Sequence, residues 1–365
     1  MSIPRDETQL EILQDITNNF IKGLSCAAKR EPSSLSHIEN TIPSSPIVEA
    51  DEVFQVMSIG GTNFKSGLIK KTSSLEILDL NQKMQPPAFD TKESFLSFIA
   101  ENLAKEITIL ALNFAFPLGP VFANGKLEGK LLYATKEHTF AGLVGENVCT
   151  EVEKYVKEKL GRTIRVSIAN DTICLLLSGK TQITGDAIAA GIVGTGLNFG
   201  YFENATTLIN TEAGGFADFP ASITGKILDD ESSVRGKYLF EKAIAGAYLY
   251  KHFNITASQR NYFMKSLKGT QELTEIAARE DGSQACYLAH EILRRSAQYA
   301  ACAIAGITKY KKEDLYFVMV GSLFWKGEGY KTIVRETVRL LVPEYKVAFL
   351  GIENSDLLGA AKLVA

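Results

Sequence analysis

Cysteine is scarce and shows no pairing pattern. The 365 residues hold five (Cys26, Cys149, Cys174, Cys286, Cys302), an odd number with no CxxC pair. That excludes a disulfide framework, and the thiols read as free, buried groups in a reducing cytosol. Sequons such as Asn204-Ala205-Thr206 then carry no meaning. The four histidines (His37, His138, His252, His290) form no HExxH and no metal-ligand spacing. No apolar run approaches the roughly 18 residues a membrane crossing needs. Asp6 and Glu7 interrupt the first ten residues, which lack the apolar stretch of a secretory signal. A cytoplasmic protein is expected. There is no basic excess either: Lys plus Arg is 39, Asp plus Glu is 42, and the net charge is -3. That argues against a nucleic-acid partner and a polybasic membrane patch. What is present, 45% hydrophobic and 22% charged residues, is ordinary for a globular chain. At about 150 residues per domain, the length suggests two or three domains.

The hydrophobic spacing predicts a helix over 6–24, with Leu10, Leu13, Ile16, Phe20 and Leu24 on one stripe. Residues 31–46, with Pro32, Pro43, Pro46 and five serines, read as a linker. Strands are predicted at 53–59, 64–69, 107–114 and 165–169, with helices near 95–103, 143–156 and 173–177. The pattern then restarts with strands at 187–193 and 197–202. Helices follow at 236–252 and 284–306, then a strand at 315–320, a helix at 330–341, a strand at 347–350 and a final helix at 356–365. A strand–glycine turn–strand unit thus occurs twice, about 134 positions apart, and an α/β protein of two related halves is the natural reading.

Several familiar motifs fail. Ser178-Gly179-Lys180-Thr181 ends like a P-loop, but Cys174 stands where its first glycine belongs. Gly194-Thr195-Gly196 is followed by Phe199 and a strand, not by the helix of a dinucleotide fold. The two glycine turns say more. Gly60-Gly61-Thr62 and Gly194-Thr195-Gly196 can present successive backbone N–H groups to phosphate oxygens, with Thr62 and Thr195 adding hydroxyls. A plain hairpin turn is the alternative at each. Asn170-Asp171-Thr172, between strand and helix, reads equally as an N-cap or as a carboxylate at a strand's carboxyl end. Asn210-Thr211-Glu212 reads as a polar cluster or a solvated turn, and Glu241 as a site residue or a surface helix charge.

Taken in order, these segments resemble the hexokinase family of the actin-like ATPase superfamily, over residues 53–365. Val53-Phe-Gln-Val-Met-Ser-Ile-Gly-Gly-Thr-Asn-Phe-Lys65 is similar to the family's first phosphate segment, Asp-Leu-Gly-Gly-Thr-Asn-Phe-Arg. Phe114-Ala-Phe-Pro117 and Ala134-Thr-Lys136 resemble its sugar segment, and Ser167-Ile-Ala-Asn-Asp-Thr172 the segment of its catalytic aspartate. Val193-Gly-Thr-Gly-Leu-Asn198 resembles the second phosphate segment; Asn210-Thr-Glu212 and Phe240-Glu-Lys242 resemble two further sugar segments. Val320-Gly-Ser-Leu323 is similar to the adenosine segment and Gly359-Ala-Ala361 to the last helix.

The resemblance implies a two-lobed actin-like ATPase (hexokinase) α/β fold, with duplicated ribonuclease H-like mixed sheets flanked by helices. It implies a small lobe of 51–170 with 353–365 returning to it, a large lobe of 171–352, and an N-terminal helix and linker (1–50) packed on the large lobe. It implies ATP carrying Mg²⁺, and a sugar site of Thr135, Lys136, Asn170, Asp171, Asn198, Glu212 and Glu241. Asp171 would be the general base and Lys136 the catalytic cation. Gly60, Gly61, Thr62, Asn63, Lys65, Gly194, Thr195, Gly196, Gly321, Ser322 and Leu323 would hold the nucleotide. Carboxylates and amides suit a hexose, because each hydroxyl both donates and accepts. The departures fall on the nucleotide side. Ser58 replaces the aspartate that supports Mg²⁺, Lys65 replaces an arginine, Val320 an aspartate, and Trp325 stands where a lysine is common. A sugar-binding regulator that has lost catalysis through Ser58 is therefore the second reading. A bacterial repressor-type sugar kinase is the third, although its cysteine-rich zinc loop is missing.

Overall fold

The computed structural model describes residues 7–61, 63–134, 138–262 and 264–365, without the side chains of 83 and 84. The chain opens with α1 (Glu7–Ala28), whose Leu13, Ile16, Phe20 and Leu24 form one buried stripe. β1 (Ile38–Thr41) comes next, followed by a meander of β2 (Val53–Ile59), β3 (Asn63–Lys71) and β4 (Leu75–Met84). Then come α2 (Lys92–Glu101), β5 (Ile109–Phe114), the hairpin β6 (Leu118–Ala123) and β7 (Lys126–Leu131), α3 (Val148–Leu160), β8 (Arg165–Ala169) and α4 (Asp171–Gly179). The second half opens with β9 (Ile188–Val193), β10 (Leu197–Asn204) and β11 (Thr207–Asn210). Helices α5 (Ile223–Asp230), α6 (Leu239–Ile244), α7 (Gly246–Gln259), α8 (Thr270–Ala277) and α9 (Gln284–Lys311) follow. β12 (Leu315–Val320), α10 (Ser322–Lys326), α11 (Tyr330–Leu341), β13 (Val347–Leu350) and α12 (Ser355–Ala361) complete the chain.

The chain divides into two units. Unit 1 is residues 1–37, 189–200 and 211–351; unit 2 is 38–188, 201–210 and 352–365. In unit 2, a five-stranded mixed sheet has the order β4-β3-β2-β5-β8. β2 pairs antiparallel with β3 and parallel with β5, and β5 pairs parallel with β8. β2 and β5 carry apolar side chains on both faces, as strands covered on both sides must. One face packs on α2 and α3 through a core rich in phenylalanine (Phe64, Phe89, Phe95, Phe114, Phe140). The other face carries α12, which in turn packs on α4. A Cβ on Gly359 would lie 1.7 Å from the Cys174 carbonyl oxygen, so that helix crossing requires glycine. In unit 1, β12 lies between β9 and β13, and α1 lies along α9, where Gly306 makes room for the Phe20 ring.

Most predicted elements are present, several with the same bounds. The linker is not wholly irregular: Ile38–Thr41 is a strand paired antiparallel with β11. It is four residues long and flanked by prolines and serines, so the turn composition around it hides it. The helix expected over 236–252 is two helices, because Ala245 is extended (φ -72, ψ 147) between α6 and α7. β4 and the β6–β7 hairpin were not anticipated: β4 is mostly exposed, β6 exposes Val121 and Phe122, and β7 buries the charged Lys126 and Glu128, so none shows apolar-in, polar-out alternation.

Candidate active site

β2, β5 and β8 are parallel, so their carboxyl ends share one edge of the unit 2 sheet. That edge is where α/β proteins place reactive groups. There Ile59 leads into Gly60-Gly61, and Ala169 into Asn170-Asp171. Asn170 caps α4, its Oδ1 accepting from the Ile173 N–H at 3.0 Å. Asp171 opens the helix, half-buried, with Oδ1 accepting from the Thr172 N–H at 2.8 Å. The positive end of the helix dipole favours a carboxylate in that place. Both of its hydrogen bonds go to Oδ1, and among the described residues Oδ2 has none. The Gly60 N–H donates to the Asn63 carbonyl at 2.9 Å and closes the turn, so the expected run of free amide donors does not include Gly60.

A polar row crosses the same edge. Ser58 faces Lys65 on β3 and Asn113 on β5 in register. Asn113 Nδ2 donates to Ser58 Oγ at 3.2 Å. Asn113 is 5% exposed, and its Oδ1 has no partner among the described residues. Lys65 does not project alone toward a nucleotide: its Nζ sits 3.2 and 3.1 Å from the two carboxylate oxygens of Asp356, in the first turn of α12. Behind this row, burial pushes the Cys174 thiol far up, and the charges of Asp171 and Asp356 push it the same way, so it is chemically quiet. Sequence reasoning passed over Asn113 and Asp356. The available signal was an asparagine inside the otherwise apolar strand Ile109–Phe114.

Unit 1 gathers a second set. Asn198 Oδ1 accepts from the N–H groups of Phe199 (2.8 Å) and Ala213 (3.1 Å). Ala213 follows Glu212, an exposed residue in the left-handed region (φ 47, ψ 46). Glu241 is no surface helix charge: half-buried, its Oε2 accepts from the Leu197 N–H at 3.0 Å. Cβ atoms on Gly196 or Gly214 would come within 3.1 and 3.2 Å of the Glu241 side chain. Asn198, Glu212, Gly196 and Glu241 are therefore brought together. Asn210 and Thr211 are buried rather than solvated.

The Gly194 N–H closes its own turn onto the Gly196 carbonyl at 3.1 Å. The carbonyls of Gly194 and Thr195 accept from the N–H groups of Gly246 and Ala247, at the start of α7. Gly321 (φ 115) backs directly onto this turn; a Cβ there would lie 2.1 Å from the Val193 oxygen. Ser322 starts α10, and Leu323 beside it is buried. Trp325 donates from Nε1 to the Met319 carbonyl, and Lys331 lies over its ring. Thr62, Thr135 and Lys136 lie outside the described residues. Among the described residues no group of three His, Cys, Asp or Glu could hold a metal ion.

Two family models described as "Hexokinase" match this chain, one over residues 4–181 and the other over 188–253 and 251–365. The chain belongs to the hexokinase family. It is similar to Hexokinase-1 of Spinacia oleracea, 30% identical over 258 residues that cover 61% of this chain and 51% of that protein. The match to the chloroplastic Hexokinase-4 of Oryza sativa subsp. japonica is 26% identical and covers 98% of this chain and 86% of that protein. In the first-named curated relatives, then, the matched stretch spans about half of their length. A hexokinase from Schistosoma mansoni complexed with glucose shares the fold, with a TM-score of 0.78 at 19% identity over 98% of this chain and 99% of that one. A hexokinase of the ROK type from Thermus thermophilus matches less fully, with a TM-score of 0.60 over 86% of this chain. The mixed α/β two-lobed hexokinase fold is the one implied by the ordered segments. Among the described residues, no helix is long and apolar enough to cross a membrane.

Proposed function

We propose that this chain is an ATP-dependent hexokinase that phosphorylates the 6-hydroxyl of glucose and related hexoses. The observation that carries this reading is that two hexokinase family models between them match nearly the whole chain, including both the Asp171 and the Glu241 segments. Asn170, Asp171, Asn198, Glu212 and Glu241, with Thr135 and Lys136, are read as the sugar contacts that the family resemblance implies. Carboxylates and amides held by backbone N–H groups are preorganised, and a hydroxyl missing from the sugar leaves one of them unpaired. Asp171 takes the 6-hydroxyl proton as the oxygen attacks the γ-phosphorus, the bond from that phosphorus to the β-phosphate oxygen breaks and ADP leaves; Oδ2, without a hydrogen bond among the described residues, is the accepting atom. The turns at Gly60-Gly61-Thr62-Asn63 and Gly194-Thr195-Gly196, with Gly321 and Ser322, are read as the nucleotide's cradle. Positioning and charge neutralisation then supply most of the rate.

The residues present fit Mg²⁺ brought by ATP. Asn113 Oδ1, without a partner among the described residues, and the Ser58 hydroxyl are oxygen donors suited to a hard, hydrated cation. Bound Mg²⁺ supplies neutralisation of the β- and γ-phosphate charge. A cytoplasmic setting, with glucose and ATP as the small-molecule partners, belongs to the same reading.

The second reading, a sugar-binding regulator with impaired catalysis, is favoured by Ser58 and by the engagement of Lys65 with Asp356. A coupled assay for hexose 6-phosphate, run beside a glucose thermal-shift titration, separates the two. The kinase reading expects turnover and a melting point that rises with glucose. A protein stabilised by glucose that forms no product with ATP and Mg²⁺ would overturn it in favour of the regulator.

A further inference from the structure

The phosphate edge of unit 2 lacks a carboxylate at position 58 but does not lack one in space. Ser58, Lys65 and Asn113 are opposed in register on three adjacent strands, so their side chains emerge on one face of the sheet. That face is the one α12 covers, and α12 brings Asp356 onto Lys65. Asn113 brings a second oxygen, 95% buried and with no hydrogen bond among the described residues. A buried acceptor left unpaired loses its water without gaining a partner and so destabilises the fold. It persists in a folded protein when a ligand, ion or water satisfies it in the working state. We propose that Asn113 and Asp356 together replace the missing aspartate, as the residues that hold the hydrated Mg²⁺ of the nucleotide beside Ser58. Both are positioning residues acting through the metal's water shell. Lys65 keeps Asp356 in place and offsets its charge against the phosphates.

This inference rests on the kinase reading. Its test measures binding of Mn²⁺ with the non-hydrolysable nucleotide AMPPNP to the full chain, by the electron paramagnetic resonance of free Mn²⁺. Three near-isosteric or surface-edge variants suffice. Asp356→Asn is expected to raise the Mn²⁺–AMPPNP dissociation constant about 10-fold, the size usual for an outer-shell partner. Ser58→Asp in the Asp356→Asn background is expected to bring it back. Asn113→Asp is expected to tighten it. Melting points taken alongside show which variants fold, and Asn113→Asp and Asp356→Asn change only one atom of shape. Affinities for Mn²⁺–AMPPNP that stay at the parent value in folded Asp356→Asn and Asn113→Asp would overturn the inference and leave the kinase reading standing. A parent chain that binds no Mn²⁺–AMPPNP would overturn both. Altered metal–nucleotide affinity in a chain that phosphorylates no sugar would support this assignment and reject the kinase.

Discussion

Asp171 opens α4, where the helix dipole favours its charge, and among the described residues its hydrogen bonds go to Oδ1. Asn170 satisfies the helix's donor at Ile173 and so fixes the turn that aims Asp171. Asn170→Ala is expected to cost about 1 kcal/mol of stability, read by denaturant unfolding, as for other N-cap losses. Glu241 is anchored differently, through the nearly buried N–H of Leu197. Glu241→Gln retains an oxygen for that bond, so the protein should fold normally while its glucose-induced melting shift shrinks. An unchanged shift would remove Glu241 from the sugar set. These residues were legible as candidates because residue types at fixed spacing mark them. Asn113 and Asp356 were not legible, because their meaning depends on strand register and on a helix returning from the far end of the chain.

Helix packing sets two further expectations. α12 crosses α4 with no room at Gly359, so Gly359→Ala should destabilise by about 3 kcal/mol, seen as a lowered denaturant midpoint. The second concerns the helices around His252. Its Nε2–H donates to the Lys242 carbonyl of α6 at 2.9 Å, and its Nδ1 accepts from Thr224 of α5 at 2.6 Å. Burial, reinforced by Arg295 of α9, lowers its pKa from 6.5 to about 4. The folded state therefore holds neutral histidine where the unfolded chain binds a proton. Stability should fall as pH drops from 6.5 toward 4 and level off below that, by up to about 3 kcal/mol. His252→Gln should flatten that part of the stability–pH curve, and a slope that survives would assign it to other groups. At this scale the sequence pattern located strands such as 53–59 and 315–320 because continuous apolar runs mark buried strands. It missed β1 and β4, whose short or exposed stretches obey turn and surface composition instead.

At the scale of the whole chain, the strand–turn–strand pattern is present twice, as β2–β3 around Gly60-Gly61 and as β9–β10 around Gly194-Thr195-Gly196. The scarcity of cysteine fits: all five thiols are free, and hydrophobic cores rather than cross-links hold each unit. The central claim is phosphoryl transfer to a hexose with Asp171 as base. Single-turnover transfer of the γ-phosphoryl group from labelled ATP to glucose, compared between the parent chain and Asp171→Asn, tests it most directly. The account predicts labelled glucose 6-phosphate from the parent and a rate at least about 100-fold lower from Asp171→Asn, the usual scale of general-base catalysis. No labelled sugar from the parent, or an Asp171→Asn rate within about twofold of it, would contradict the account.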